Sequence, residues 1–143
     1  MIDLGNGYVL VDDQNAIDPV AAHAFLTSSY WSTGIPLETV RRALANSYCV
    51  AVCHASAQVA MARLVTDWAT FAYLADVYVL EAHRGQGLAR AMFAHLQSHP
   101  PLSGLRRWLL ATLDAHGVYE KQGWRPLAHP ERFLERLFPD VYR

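Results

Sequence analysis

The stretch from Tyr48 to Leu80 constrains the fold more than any other part of the chain. Tyr48-Cys-Val-Ala-Val-Cys53, Val59-Ala-Met-Ala-Arg-Leu-Val65 and a long run from Thr70 to Leu80 read as three strands joined by short polar turns. Connections this short admit only antiparallel pairing, so the three form a meander. In the third strand Phe71, Tyr73, Ala75, Val77 and Val79 fall on one face, and Leu74, Asp76 and Tyr78 on the other. A strand this apolar on both sides has to be covered on both. The expectation is a central sheet held between helices.

The flanking segments supply that cover. Gly7 to Val11 is a short strand, and Asp18-Pro19 opens a helix with Asp as cap and Pro in the first position. Its apolar face is expected to carry Val20, Ala24 and Phe25. Tyr30-Trp31-Ser32-Thr33-Gly34-Ile35-Pro36 reads as a loop, and Pro36 to Ala45 returns to helical spacing through Val40 and Leu44. After the meander, Leu88, Met92, Phe93 and Leu96 mark another helix, which Pro100-Pro101 ends. Trp108 to Thr112 is a short strand, Asp114 to Gln122 a helix stopped by Gly123, and Trp124 begins an extended segment. Arg132 to Phe138 is expected to form a terminal helix. The order predicts an α+β chain: a three-layer α/β/α domain around a central mixed, mostly antiparallel sheet, with residues 1–143 as one domain.

Composition narrows the partners. Twelve Lys and Arg against thirteen Asp and Glu leave a net charge of −1, which argues against a sequence-independent nucleic-acid binder. No apolar run approaches the roughly 18 residues of a membrane span. The segment Met1-Ile-Asp-Leu-Gly-Asn-Gly has no basic region ahead of an apolar one, so no secretory signal is expected. Cys49 and Cys53 lack Cys-x-x-Cys spacing and are too few for a disulfide framework. They read as buried thiols in a reducing cytoplasm.

The sharpest local feature is Arg84-Gly85-Gln86-Gly87-Leu88-Ala89 between a strand and a helix. A glycine turn at a helix N-terminus aims free N–H groups and the positive end of the helix dipole at one point, which suits a phosphate or pyrophosphate. Arg84 adds a charged donor at the rim. A plain tight turn is the alternative on these residues alone. Gly-x-x-x-x-Gly-Lys-Ser/Thr is absent, and Arg90 stands where Gly-x-Gly-x-x-Gly needs its third glycine, so the common nucleotide loops do not fit.

Arg84-x-x-Gly87-x-Ala89 resembles the Arg/Gln-x-x-Gly-x-Gly/Ala signature of the GNAT superfamily of acetyl-CoA-dependent N-acetyltransferases. Downstream, Ala115-His-Gly-Val-Tyr119-Glu-Lys-Gln-Gly123-Trp124 is similar to the family's Ala-x-x-x-Tyr-Glu-Lys-x-Gly-Phe segment. The motifs come in family order, and the element order agrees across about residues 7–127. The segment from Ala62 to Val79 also resembles small stand-alone bacterial members. Thr112 departs from the Asn of many members and Trp124 from the usual Phe, while Ala89 is a permitted variant.

The resemblance implies acetyl-CoA as co-substrate and calls for no metal. It implies that backbone N–H groups from Gln86 through Gly87 and Leu88 to Ala89 hold the CoA pyrophosphate, with Arg84 and Gly85 in the same loop. The backbone near Tyr78 and Val79 is implied to pair with pantetheine, at a bulge that splays this strand from the next, and Thr112 stands at the usual side-chain contact to that arm. A backbone N–H of this strand is implied to polarise the thioester carbonyl. The reaction implied is direct transfer to a primary amine, with a small-molecule acceptor, and a protein amine as an alternative. Tyr119 stands at the position of the general acid; without the motif it reads rather as a core tyrosine on the helix face shared with Ala115. A non-catalytic acyl-CoA-binding module is the rival from another class, and a homodimer follows from analogy alone.

Other residues carry weaker signals. Asp76 on an apolar strand face needs either a structural partner or a functional cleft, and is the candidate base beside a chain of waters. Asp67 reads as a turn bracket and His83 as a solvent-facing loop residue. Tyr30 and Trp31 read as acceptor-binding residues or as apolar anchors of their loop. His95 and His99, spaced i, i+4, show no third metal ligand, so they read as a solvated helix end.

Overall fold

The computed structural model describes residues 1–143. Six strands form one sheet in chain order: β1 (Ile2–Gly5), β2 (Tyr8–Val11), β3 (Tyr48–His54), β4 (Ala57–Thr66), β5 (Phe71–Val79) and β6 (Arg107–Leu110). The first four junctions are antiparallel, and β5 pairs parallel to β6. The helices are α1 (Pro19–Leu26), α2 (Leu37–Ala45), α3 (Leu88–Ser98) and the short α4 (His116–Glu120). None of them is long and apolar enough to cross a membrane.

Two cores sandwich the sheet, as the doubly apolar meander requires. On one face Val50, Val52, Ala62, Leu64, Ala72 and Leu74 pack under Leu88, Met92, Phe93 and Leu96 of α3. On the other Cys49, Ala51, Met61 and Tyr78 pack under Ala22 and Leu26 of α1 and Val40 and Leu44 of α2. The α1 cap is as expected: the Asp18 carboxylate accepts from the N–H groups of Val20 and Ala21. Its buried face is Ala22 and Leu26, with Phe25 half-buried against the same core, whereas Val20 and Ala24 are exposed.

The alternation expected along β5 breaks at Asp76. Between the pairs Met61–Tyr78 and Arg63–Ala75, β4 advances two positions and β5 three, so β5 carries one extra residue. Asp76 takes φ +53°, a left-handed backbone that few residues other than Gly, Asn and Asp tolerate. The bulge exchanges the faces. Ala72 and Leu74 before it, and Val77 and Val79 after it, all meet the α3 core, and Tyr78 goes to the opposite one.

The ends of the chain depart from expectation. Ile2–Gly5 forms a strand that was not anticipated, closed onto β2 through Asn6-Gly7 with φ of 55° and 82°, the two-residue hairpin turn that Asn-Gly favours. The helix expected over Asp114–Gln122 is confined to His116–Glu120. Trp124 does not start a strand: Pro126 follows closely, and the indole N–H donates to Gln97 Oε1 (3.2 Å). Arg132 to Phe138 is not helical either. Only Pro130–Arg132 makes a single 3-10 turn, and Leu134 is 98% exposed. A segment that short is far below the roughly 12–15 residues that sustain an isolated helix, and it has no buried face to compensate.

Candidate active site

The bulge and the shortness of β6 together open the sheet. β6 pairs with β5 only from Phe71 to Leu74, and Leu110 is its last bonded residue. Beyond that, β5 runs on from Ala75 to Val79 without its parallel neighbour, and the chain leaves β6 through Ala111–Ala115 into α4. Two clefts lie along this opening, and β5 and α4 contribute to both.

The first cleft, about 430 Å³, is lined by Val79, His83, the glycine turn, Phe93 of α3 and Val118. Gly85 and Gly87 have φ of 79° and 75°, a conformation in which a side chain is strained, and Gly87 caps α3 without a side chain. The N–H groups of Gly85, Gln86 and Gly87 donate to no group of the chain. They and the first turn of α3 therefore present a run of unspent donors at the positive end of an 11-residue helix. Leu88 is buried and Ala89 half-buried, which roots the turn in the α3 core. Arg84, Arg90 and Lys121 add three cationic side chains to this lining. The sequence reading missed Arg90 and Lys121. Arg90 occupies the very position that spoils a third glycine, and Lys121 is the only lysine of the chain. This donor set suits a polyanion such as a pyrophosphate.

His83 does not face solvent. It is half-buried, its Nδ1 is 2.9 Å from the Tyr8 hydroxyl, and its ring sits edge-on to Tyr8. Arg84 Nε donates to the Val79 carbonyl (3.0 Å), tying the loop back onto the free end of β5. The Tyr78 side chain points away from both clefts. It stacks on Phe25 at 4.5 Å, its hydroxyl accepts from Gln58 Nε2, and burial pushes the phenol up to about 12. Only the backbone of Tyr78 is left for the opening.

The second cleft, about 660 Å³, is lined by Tyr30, Trp31, Arg63, Tyr73, Asp76, Thr112, Asp114 and Tyr119 among others. The loop carrying Tyr30 and Trp31 is held from within. Buried Ser29 donates through its hydroxyl to the Leu26 carbonyl and accepts from the Ser32 N–H, and Thr33 Oγ1 donates to the Ser29 carbonyl. Trp31 then donates through its indole N–H to Asp76 Oδ1 (2.9 Å). Arg63 Nε donates to Asp76 Oδ2 (2.7 Å), with Arg63 itself braced on Ser47 Oγ. Asp76 thus has both: structural partners on each carboxylate oxygen and a place in the cleft wall. Sequence alone could not pair it with Arg63, which lies 13 residues away on the neighbouring strand.

Tyr119 lies where the clefts approach each other. Its ring packs on Phe93, centroids 5.2 Å apart, and on Trp124, while it also lines the second cleft. Its hydroxyl has no partner within the chain, and burial raises its pKa above the usual phenol value. Thr112 accepts from the Ala115 N–H (3.2 Å) at the entry to α4. Asp67 is a turn bracket as read: its carboxylate accepts from the N–H groups of Ala69, Thr70 and Phe71 and from the Thr70 hydroxyl. Cys49 and Cys53 line neither cleft, and burial pushes the Cys49 thiol up to about 12, which removes it as a nucleophile.

Comparison with known proteins agrees with this geometry. The family model described as acetyltransferase (GNAT) family matches residues 16–124. A crystal structure from Xanthomonas campestris pv. campestris, assigned provisionally as a GNAT-family acetyltransferase, is 41% identical. The match covers 94% of this chain and 96% of that one, with a TM-score of 0.91. A Gibberella zeae protein named provisionally as an acetyltransferase is 29% identical over 137 residues, covering 80% of this chain and 76% of its own. A Deinococcus radiodurans structure, also provisionally an acetyltransferase, shares the fold at a TM-score of 0.75 and 18% identity, covering 99% of this chain and 96% of its own. The splayed sheet, the open glycine turn and the matched family model lead to one identification: this chain belongs to the GNAT acetyltransferase family.

Proposed function

We propose that the protein transfers the acetyl group of acetyl-CoA directly to a primary amine of a small molecule. The observation that carries this reading is the pair of clefts along the splayed end of β5, one rich in unspent N–H donors and cations, the other walled by aromatic rings and Asp76. The first suits the diphosphate of acetyl-CoA: N–H groups from Gly85 to Ala89 would hold it, with Arg84, Arg90 and Lys121 around it. The unpaired edge near Tyr78 and Val79 would take the pantetheine arm, beside Thr112. The second, at about 660 Å³, is within the size range of small-molecule sites.

Acetyl-CoA, when bound, supplies the acetyl group and a sulfur leaving group whose thiol has a pKa of about 8.5. A phenol raised by burial keeps its proton through the neutral range, so Tyr119 is the acid that gives it to that sulfur. Asp76 faces the acceptor as an anion already shared between Trp31 and Arg63. Such a paired carboxylate is suited to orienting an ammonium group, whose proton passes to water. Tyr30 and Trp31 close the acceptor side.

The test begins with acetyl-CoA as a ligand. At about 100 times Kd it should add roughly 2.7 kcal/mol, several degrees in thermal midpoint. Arg84→Glu/Arg90→Glu, folded by circular dichroism, should lose most of that shift. An amine screen that follows thiol release then separates the enzyme from its rival. Turnover on at least one small amine supports the proposal, whereas binding without turnover on any amine points to an acyl-CoA-binding module.

A further inference from the structure

The C-terminal end of α3 does not end in solvent as the sequence suggested. His95 and His99, one turn apart, converge with Asp12, which follows β2 and is remote in sequence. One ligand atom from each of the three lies within 4.8 Å of the others, and all three side chains are partly buried. We propose that Asp12, His95 and His99 form a site for a divalent transition-metal cation of the zinc type. None of the three lines either cleft, so this site is separate from the proposed chemistry.

Geometry and donor type both favour such an ion. Ligands at about 2.0–2.1 Å from a tetrahedral centre lie about 3.3 Å apart. His95 Nε2 and Asp12 Oδ2 already stand at 3.0 Å, so they need only a slight separation for an ion to replace the proton between them. His99 stands within 4.8 Å of both and has to move inward to complete the set. Two imidazoles and one carboxylate suit zinc, nickel or copper, whereas magnesium and calcium want an oxygen shell. The surroundings hold the ligands in place. The Tyr48 hydroxyl donates to Asp12 Oδ2 (2.8 Å), and its ring stacks on His99 at 4.9 Å. Trp68 covers both rings from outside. Gln14 Nε2 donates to the Asp12 carbonyl and fixes the backbone that presents the carboxylate. Water supplies the fourth position. Occupancy would clip the end of β2 to the end of the helix whose other terminus carries the glycine turn.

The experiment is equilibrium dialysis of chelator-stripped full-length protein against Zn²⁺, with Mg²⁺ as the comparison. One Zn²⁺ per chain and no comparable Mg²⁺ binding are expected. Affinity should fall at least a hundredfold in His95→Ala/His99→Ala and about tenfold in Tyr48→Phe, which removes the hydroxyl that contacts both Asp12 Oδ2 (2.8 Å) and His95 Nε2 (3.1 Å). Metal-free melts confirm that each variant folds. On the wild-type protein, imidazole proton resonances during the titration give a reading that needs no variant: those of His95 and His99 should shift while that of His23 stays. Binding that survives in the double variant, shifts confined to other histidines, or no saturable binding would each overturn the proposal and leave the cluster a hydrogen-bonded tie.

Discussion

Along β5, the half from Phe71 to Leu74 is bonded to a strand on each side, β4 and β6, whereas the half from Ala75 to Val79 keeps β4 alone. The two halves are similarly apolar in sequence. What separates them is one extra residue at Asp76 and a neighbour that stops after four residues. The doubly paired half is bonded on both edges and buries Ala72 and Leu74 in the α3 core, so it serves stability. The other half leaves a backbone edge open, and an open edge is a liability unless something covers it. Here α4 lies along it, the Tyr30–Trp31 loop walls the second cleft, and the two clefts occupy the uncovered space. The proposed chemistry lies where the ladder is incomplete, beside the stretch where it is complete.

The largest effect should come from the stable half. Leu64, fully buried opposite Leu74, should cost about 3 kcal/mol when changed to Ala, through lost burial and a cavity. Urea unfolding reads this, and KM for the acceptor should stay within twofold. A large change in KM would mean that the two halves are mechanically coupled. Next comes Tyr119→Phe, which keeps the ring against Phe93 but removes the hydroxyl proposed as the proton donor. We expect kcat to fall about a hundredfold, about 2.7 kcal/mol in the barrier, with acetyl-CoA affinity and thermal midpoint unchanged. Because burial raises this phenol, the wild-type kcat should show no loss from its deprotonation until the pH exceeds about 10. Equal kcat in the two proteins across pH would take Tyr119 out of the mechanism.

Asp76→Asn probes the boundary itself. Asn tolerates the left-handed backbone and still accepts from Trp31, but it leaves the largely buried Arg63 facing a neutral amide. A loss of about 2 kcal/mol in stability is expected, less than for full removal of a buried partner. Acceptor KM should rise more than kcat falls, since the charge that orients the ammonium is gone. If kcat falls a hundredfold at unchanged KM, Asp76 is the base itself.

These expectations also mark what the residues disclosed unaided. The meander was legible because alternation and short turns survive in the sequence, and α1 because Asp18-Pro19 is a cap with a stated mechanism. The glycine turn was legible for the same reason. The bulge was not legible in the residues, because periodicity reports a face only while pairing stays in register; the family resemblance alone implied one, near Tyr78 and Val79, and it lies at Asp76. Its trace was Asp76, a residue that tolerates positive φ, read only as a charge among apolar neighbours. β1 was missed although Asn6-Gly7 is a strong hairpin signal. The terminal helix was expected from spacing that no tertiary surface rewards. Asp12 escaped because its partners His95 and His99 lie beyond three intervening strands, and nothing local ties them together.

The smallest effect distinguishes strain that serves the site from strain that serves nothing in it. Asp76 is held left-handed by Trp31 and Arg63, whereas Ala55 and Ser56, the turn between β3 and β4, take φ of 49° and 69° with no such contacts from their side chains. Both central residues of this turn have positive φ, the geometry that favours Asn-Gly, which the β1–β2 turn has and this one lacks. Ala55→Asn/Ser56→Gly should therefore raise stability by about 1 kcal/mol, less than the full left-handed penalty because Gly adds freedom to the unfolded chain. Acceptor kcat/KM should not move. Asp76→Gly relaxes the same kind of backbone, yet it should lower stability and raise acceptor KM, because it discards both polar contacts along with the strain. Should the turn variant alter kcat/KM as well, the β4 residues next to it, which pair with Tyr78 and Val79, would have to be counted among the supports of the open half.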